Sequence, residues 1–156
     1  MKLILYFGHT GTTKKASELL AKSLEDTVVI DGMKKSKIDF SAYEEIIFGI
    51  NIRMGKLNKK FVSFYKKLSK QHLNLKVHAF LIAADKNQRT KYMNLVRAIL
   101  PEDAYIGFFG GELDPTRAKG LARAVIVNCI NQLLEQNLPL PSIDMEAIED
   151  FVDHIK

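Results

Sequence analysis

Gly8-His9-Thr10-Gly11-Thr12-Thr13 is the stretch whose residue types could do chemistry first. Two glycines let a backbone turn tightly and come close to a ligand. Three threonines supply hydroxyl donors. The residues from Lys14 onward read as a helix, so its free N–H groups and positive dipole end would face the same spot. That combination predicts an anion cradle, with His9 as a further donor. Thr10 or Thr12 could instead only cap the helix. The spacing is neither that of a P-loop, which needs Gly-Lys-Ser/Thr after its spacer, nor the three-glycine dinucleotide fingerprint.

Two further loops carry candidate residues. One is Asn51-Ile52-Arg53-Met54-Gly55, where Arg53 lies between apolar neighbours. The other is Asp85-Lys86-Asn87-Gln88-Arg89. Asp85 could cap the helix that follows or orient a ligand amide. No Ser/His/Asp set can be placed beside these loops. His72, His78 and His154 show no metal-ligand spacing with one another or with Cys129. No side chain here is a candidate for a catalytic role.

The elements that must position these loops alternate. Apolar runs at Leu3–Phe7, Val28–Ile30, Glu45–Ile50, Lys76–Ala84 and Ala104–Phe109 read as strands buried on both faces. Helical spacing recurs over Lys14–Leu24, Asn58–Leu68, Thr90–Leu100, Thr116–Gln136 and Asp144–Ile155. The polar stretch Asp31–Tyr43 has room for only a poor helix. Strand–helix alternation predicts one α/β domain over residues 1–156, with a parallel sheet covered on both faces. In such a sheet ligands sit beyond the carboxyl ends of the strands, where the three loops fall.

Composition narrows the class. The chain has 156 residues, 47% apolar and 26% charged, as a globular domain with a real core requires. No run reaches the roughly 18 apolar residues of a membrane span. The amino-terminal apolar run is too short for a signal peptide. A single cysteine excludes an internal disulfide and fits a reducing cytoplasm. Lys and Arg outnumber Asp and Glu by 19 to 10 over residues 1–110 and are outnumbered 4 to 8 over residues 111–156. No acid occurs from Ile46 to Ala84, a balance that favours anionic partners. The basic run lacks exposed aromatic residues to stack bases, so nucleic acid is not expected. Thr116–Gln136 would carry Arg117, Lys119 and Arg123 near its start, against the dipole. It could pack on the sheet edge or a second subunit, or dock on a membrane surface or partner.

Thr10-Gly11-x-Thr13 resembles the phosphate loop of the flavodoxin family, Ser/Thr-x-Thr-Gly-x-Thr, with Gly8 in the place of the first hydroxyl residue. Gly49-Ile50-Asn51-Ile52-Arg53-Met54-Gly55 is similar to the Gly-x-Ser-Ile-Arg-Tyr-Gly stretch of the menaquinone-dependent protoporphyrinogen oxidase branch. Asn51 stands in the place of Ser and Met54 in the place of Tyr. The resemblance implies a doubly wound five-stranded parallel sheet, order 2-1-3-4-5, with an extra helix between the fifth strand and the last helix. It implies bound FMN, its phosphate on Thr10, Gly11, Thr12 and Thr13 with His9 close by. Its ring system would lie between Asn51, Ile52, Arg53, Met54 and Gly55 on one side and Asp85, Lys86 and Asn87 on the other. Arg53, Lys56 and Lys86 would bring positive charge to the rim, which stabilises a reduced, anionic flavin. Electron transfer to a redox partner protein or a quinone follows from the resemblance, as does a cytoplasmic location, with peripheral contact at the membrane's inner face. A flavodoxin-fold binding module without flavin is the alternative from another class.

Overall fold

A computed structural model describes residues 1–156. Six strands form the sheet: β1 Lys2–Phe7, β2 Thr27–Asp31, β3 Glu45–Arg53, β4 Lys56–Leu57, β5 Lys76–Ile82 and β6 Ile106–Phe108. Five are parallel, in the order β2-β1-β3-β5-β6. This is the expected doubly wound order with one addition. β4 folds back antiparallel on the end of β3, pairing Ile52 with Leu57 and Arg53 with Lys56. The helices are α1 Thr12–Lys22, α2 Lys59–Ser69, α3 Arg89–Arg97, α4 Gly120–Glu135 and α5 Met145–Ile155.

The period-two alternation of strand residues builds two cores. Leu3, Leu5, Phe7, Ile46, Phe48 and Ile50 point to one face, where they meet Phe61 and Tyr65 of α2 and Val96 of α3. Ile4, Ile47, Phe80 and Ile82 point to the other, against Ala16 and Leu20 of α1 and Ile148 and Phe151 of α5. Phe80 and Phe109 stack at 4.5 Å between centroids, and Phe151 meets Phe109 edge-on at 5.4 Å. These contacts fix α5 on the sheet beyond what area burial alone supplies.

Two expected elements differ. No α-helix spans Asp31–Tyr43. A single turn of 3-10 helix at Phe40–Ala42 interrupts an irregular segment, and Met33, Ile38, Phe40 and Tyr43 cover the sheet there. The helix expected over Thr116–Gln136 begins only at Gly120, which has φ 58°. A 3-10 turn at Pro115–Arg117 precedes it, capped by Asp114, whose Oδ1 accepts from the Thr116 amide at 3.0 Å. Arg117 therefore stands outside α4, while Lys119 is its N-cap and Arg123 lies in its first turn, so two of the three cations still oppose the dipole. No side chain of α4 is buried, and Leu121, Val125 and Leu134 are 82%, 56% and 56% exposed.

At the opposite sheet edge from the loops, Glu45 is buried beside Lys2 (3.1 Å) and His78 (Nε2 to Oε1, 4.0 Å). His78 Nδ1 accepts from the Tyr105 amide at 3.0 Å, which places the ring proton on Nε2. Burial pushes the His78 pKa down and outweighs the opposite pull of Glu45 and Asp103. The 4.0 Å contact is thus a neutral N–H near a carboxylate. Folded His78 binds a proton more weakly than unfolded His78, so its stabilising contribution is full above about pH 6.5 and is lost as pH falls through the folded value. His78→Asn, which offers Oδ1 to the same amide, should flatten part of the decline in stability between pH 7.5 and 5. Urea midpoints at the two pH values measure it, and the difference is bounded by about 1.4 kcal/mol per pH unit for one proton.

Candidate functional site

The loop Gly8–Gly11 leaves β1 and enters α1. Gly11, at φ 86°, is the N-cap, and no side chain caps the helix. Thr10 and Thr12 are therefore free of the capping role that sequence left open to them. The first-turn N–H groups of α1 are left for something else. Atoms near the position of a Cβ on Gly11 come no closer than 3.8 Å, so the mouth of the turn is open. Thr10 and His9 are exposed, while Thr12 and Thr13 are 4% and 2% exposed. Thr13 packs against Gly8, where a Cβ would lie 2.6 Å from Thr13 Oγ1. Ser17 Oγ donates to the Thr13 carbonyl at 2.8 Å and fixes that turn.

A group that sequence reasoning did not single out reaches this loop from the segment after β6. Arg117 Nη1 donates to Thr12 Oγ1 at 3.2 Å. The same guanidinium pairs with Glu112 at 3.4 Å and, through Nε, with Asp114 at 3.2 Å. Lys15 closes the cluster on the other oxygen of Glu112 at 2.7 Å. The sequence signal was the turn-forming Asp114-Pro115-Thr116, after which α4 starts at Gly120, one turn later than the helix expected from Thr116.

Asn58 is the second missed residue. It is 5% exposed and caps α2, its Oδ1 accepting from the Lys60 and Phe61 amides at 3.0 and 3.2 Å. Its Nδ2 donates to Asn51 Oδ1 at 2.8 Å and lies 3.5 Å from His9 Nε2. One side chain thus ties the end of β3, the start of α2 and the loop after β1. Asn in front of a helical pattern reads as a cap, but its other partners lie far along the chain.

Between these elements lies a cavity of about 430 Å³, lined among others by His9, Met33, Asn51, Arg53, Met54 and Asn58. Lys56, Lys59 and Lys60 also line it, and no acid does. Burial, then Arg53 and Lys60, hold the His9 pKa below the usual histidine value. The ring is neutral at pH 7, so it can donate a hydrogen bond from only one nitrogen.

The β3–β4 turn is Met54-Gly55, both with positive φ (52° and 72°). That is the backbone of a tight primed hairpin turn, which favours Asn or Gly at the first position. Met54 is 92% exposed and packs on nothing in compensation. Met54→Asn should relieve the left-handed strain and raise the melting temperature of ligand-free protein by about 1–4 °C in a thermal unfolding scan.

Asn51, Arg53 and Met54 line the cavity with His9; Ile52 is half-buried in the β3–β4 pair and Gly55 in its turn. Asp85, Lys86 and Asn87 do not line it. They form a 3-10 turn beyond β5, and Asp85 Oδ1 accepts from the Asn87 amide at 3.0 Å, so Asp85 is a cap. No cluster of three or more His, Cys, Asp or Glu could hold a metal ion.

A doubly wound parallel sheet with an uncapped helix N-terminus and a cavity at its switch point places the chain among the open α/β folds, whose ligand sites lie beyond the carboxyl ends of the strands. Residues 3–137 match the flavodoxin domain family. The chain belongs to that family. No curated protein matches it by sequence. Among solved structures it is similar to a Lactobacillus acidophilus flavoprotein in complex with FMN, at 17% identity and TM-score 0.53. That match covers 70% of this chain and 91% of the other. A Streptococcus pneumonia TIGR4 flavodoxin matches at 16% identity and TM-score 0.54, covering 86% and 98%. The two-electron reduced Megasphaera elsdenii flavodoxin matches at 14% identity and TM-score 0.51, covering 71% and 85%. No helix is long and apolar enough to cross a membrane.

Proposed function

We propose that this chain is an FMN-binding electron-transfer flavoprotein. The observation that carries the reading is the start of α1: a left-handed Gly11 at its cap, no side chain on its amides, and the Thr10, Thr12 and Thr13 hydroxyls around it. Those groups fit a phosphate ester. The adjoining cavity, lined by cations and the exposed Met54 thioether, accepts the rest of a flavin mononucleotide. The FMN held by the L. acidophilus neighbour supports the same reading.

FMN supplies one- and two-electron transfer, and the protein's own residues bind it and set its electrostatics. The α1 amides and threonine hydroxyls take the phosphate. Arg53 and the lysines around the cavity place positive charge where a reduced ring gains electrons, which stabilises that state. Asp85 is spent on its own turn, and no acid/base pair stands near the cavity, so protons come from water, with His9 placed to relay one but not to supply it. A partner protein or a quinone accepts the electrons, in the cytoplasm or at the membrane's inner face.

An absorption spectrum of purified protein with added FMN tests this reading. A bound, shifted flavin spectrum is expected. Protein that is colourless and leaves the FMN spectrum unchanged overturns it and favours a binding module without flavin. Quinone-linked oxidation of protoporphyrinogen is the second reading. It is favoured by the Asn51–Gly55 loop together with the exposed apolar side chains of α4. Oxidation of protoporphyrinogen that depends on an added menaquinone analogue is its expected result.

A further inference from the structure

We propose that Arg117 donates a charge-assisted hydrogen bond to the cofactor's phosphate, reaching it from the segment between β6 and α5. The inference rests on the reading of the α1 start as an FMN phosphate loop. Three observations carry it.

The first is position. Arg117 atoms are the ones that come within 4 Å of the Cβ position at Gly11, at 3.8 and 3.9 Å, and Nη1 binds the Thr12 hydroxyl. No other cationic side chain bonds to a group of this loop.

The second is preorganisation. Asp114 holds Nε of Arg117 through one oxygen and caps the 3-10 turn through the other. Glu112 is itself held by Lys15. The guanidinium is thus held in place before any ligand arrives, with little rotamer freedom left to lose. Its Nη2 makes no hydrogen bond or ion pair within the protein, which leaves that amino group's N–H donors for a phosphate oxygen.

The third is charge. Lys15 and Arg117 balance Glu112 and Asp114, and the first turn of α1 carries no acid. A cluster that is neutral in itself keeps Arg117 satisfied without ligand. An entering phosphate then gains a charge-assisted bond and forces no unpaired carboxylate into the loop.

A purely structural Arg117, pinning the inserted segment to the domain, would affect any flavin alike. A phosphate ligand affects only FMN. The experiment is therefore a fluorescence-quenching titration of the wild type, Arg117→Gln and Arg117→Lys with FMN and with riboflavin, which has no phosphate. Wild type is expected to prefer FMN. Arg117→Gln should lose about 10- to 100-fold in FMN affinity with riboflavin affinity unchanged, and Arg117→Lys should lose less. The wild-type preference should also shrink with added salt more than that of Arg117→Gln. A wild type that prefers FMN, with a preference that Arg117→Gln leaves intact, overturns the role of Arg117 alone. A wild type with no preference for FMN rejects the phosphate loop and this inference with it.

Discussion

Gly8→Ser should weaken the protein and its anion site, although serine or threonine is the residue the flavodoxin loop pattern has there. A Cβ on residue 8 would lie 2.6 Å from Thr13 Oγ1 and 2.7 Å from Thr13 Cβ. Thr13 cannot give way. It is 2% exposed, β-branched, and sits in the first turn of α1 with its carbonyl held by Ser17. The loop and the helix must therefore move apart, which costs about 1–3 kcal/mol for an overpacked site. In a chain of 156 residues that lowers the melting temperature by about 2–12 °C. FMN affinity should fall as well, since the amides at the α1 start lose their common aim. Thr13→Gly removes both clashing atoms. The double variant Gly8→Ser with Thr13→Gly should be more stable than the sum of the two single losses, while FMN affinity stays low because the Thr13 hydroxyl is gone. Thermal unfolding of the four members of the cycle gives the coupling. Losses that simply add would show that Gly8 and Thr13 do not constrain each other, and FMN binding strengthened by Gly8→Ser would restore the missing hydroxyl as the deciding feature.

That coupling shows what kind of information the sequence carried. The α1 start was legible because its parts are local: glycines, hydroxyls and a helix signal within six residues. The strands and their parallel pairing were legible from apolar runs alternating with helices, whereas the strand order came with the flavodoxin resemblance and not from any local pattern. Over Asp31–Tyr43 the polar, basic composition allowed only a poor helix, and the structure forms just one 3-10 turn there. Arg117 was misplaced because the expected helix was started at Thr116, inside the turn that Asp114-Pro115-Thr116 forms, whereas α4 starts only at Gly120. Its partner Thr12 lies 105 residues away, a separation that no local pattern encodes. The β4 strand was missed because two residues are too few for a period, and because Met at the first position of a primed turn hides the usual Asn-Gly signal. The side on which the cavity opens also depended on long-range contacts. Asp85, Lys86 and Asn87 share the sheet edge with Asn51–Gly55, yet the open cavity forms on the α2 side, where Met33 and Asn58 meet His9.

Asn58 is the residue on which that space depends, and Asn58→Ala should cost about 1.5–5 kcal/mol. Loss of the α2 cap removes acceptors for two amides, at 3.0 and 3.2 Å, an effect of about 0.5–2 kcal/mol. Loss of Nδ2 leaves the half-buried Asn51 Oδ1 without its 2.8 Å donor, about 1–3 kcal/mol more. Asn58→Asp separates the two contributions. It keeps an oxygen for the α2 amides, so the cap survives, but sets a carboxylate oxygen against Asn51 Oδ1. Its stability should lie between those of the wild type and Asn58→Ala. It also moves a negative charge to within reach of His9 Nε2, now 3.5 Å from the amide nitrogen. His9 is held low by burial and by Arg53 and Lys60, so a carboxylate there must raise its pKa. Nuclear magnetic resonance titration of the His9 ring reads that shift directly, apart from any effect on folding. The alanine variant should lose FMN affinity because the β3–β4 turn and the loop after β1 are no longer tied to one side chain. A His9 titration unmoved by Asn58→Asp would show that the two side chains do not share the cavity wall.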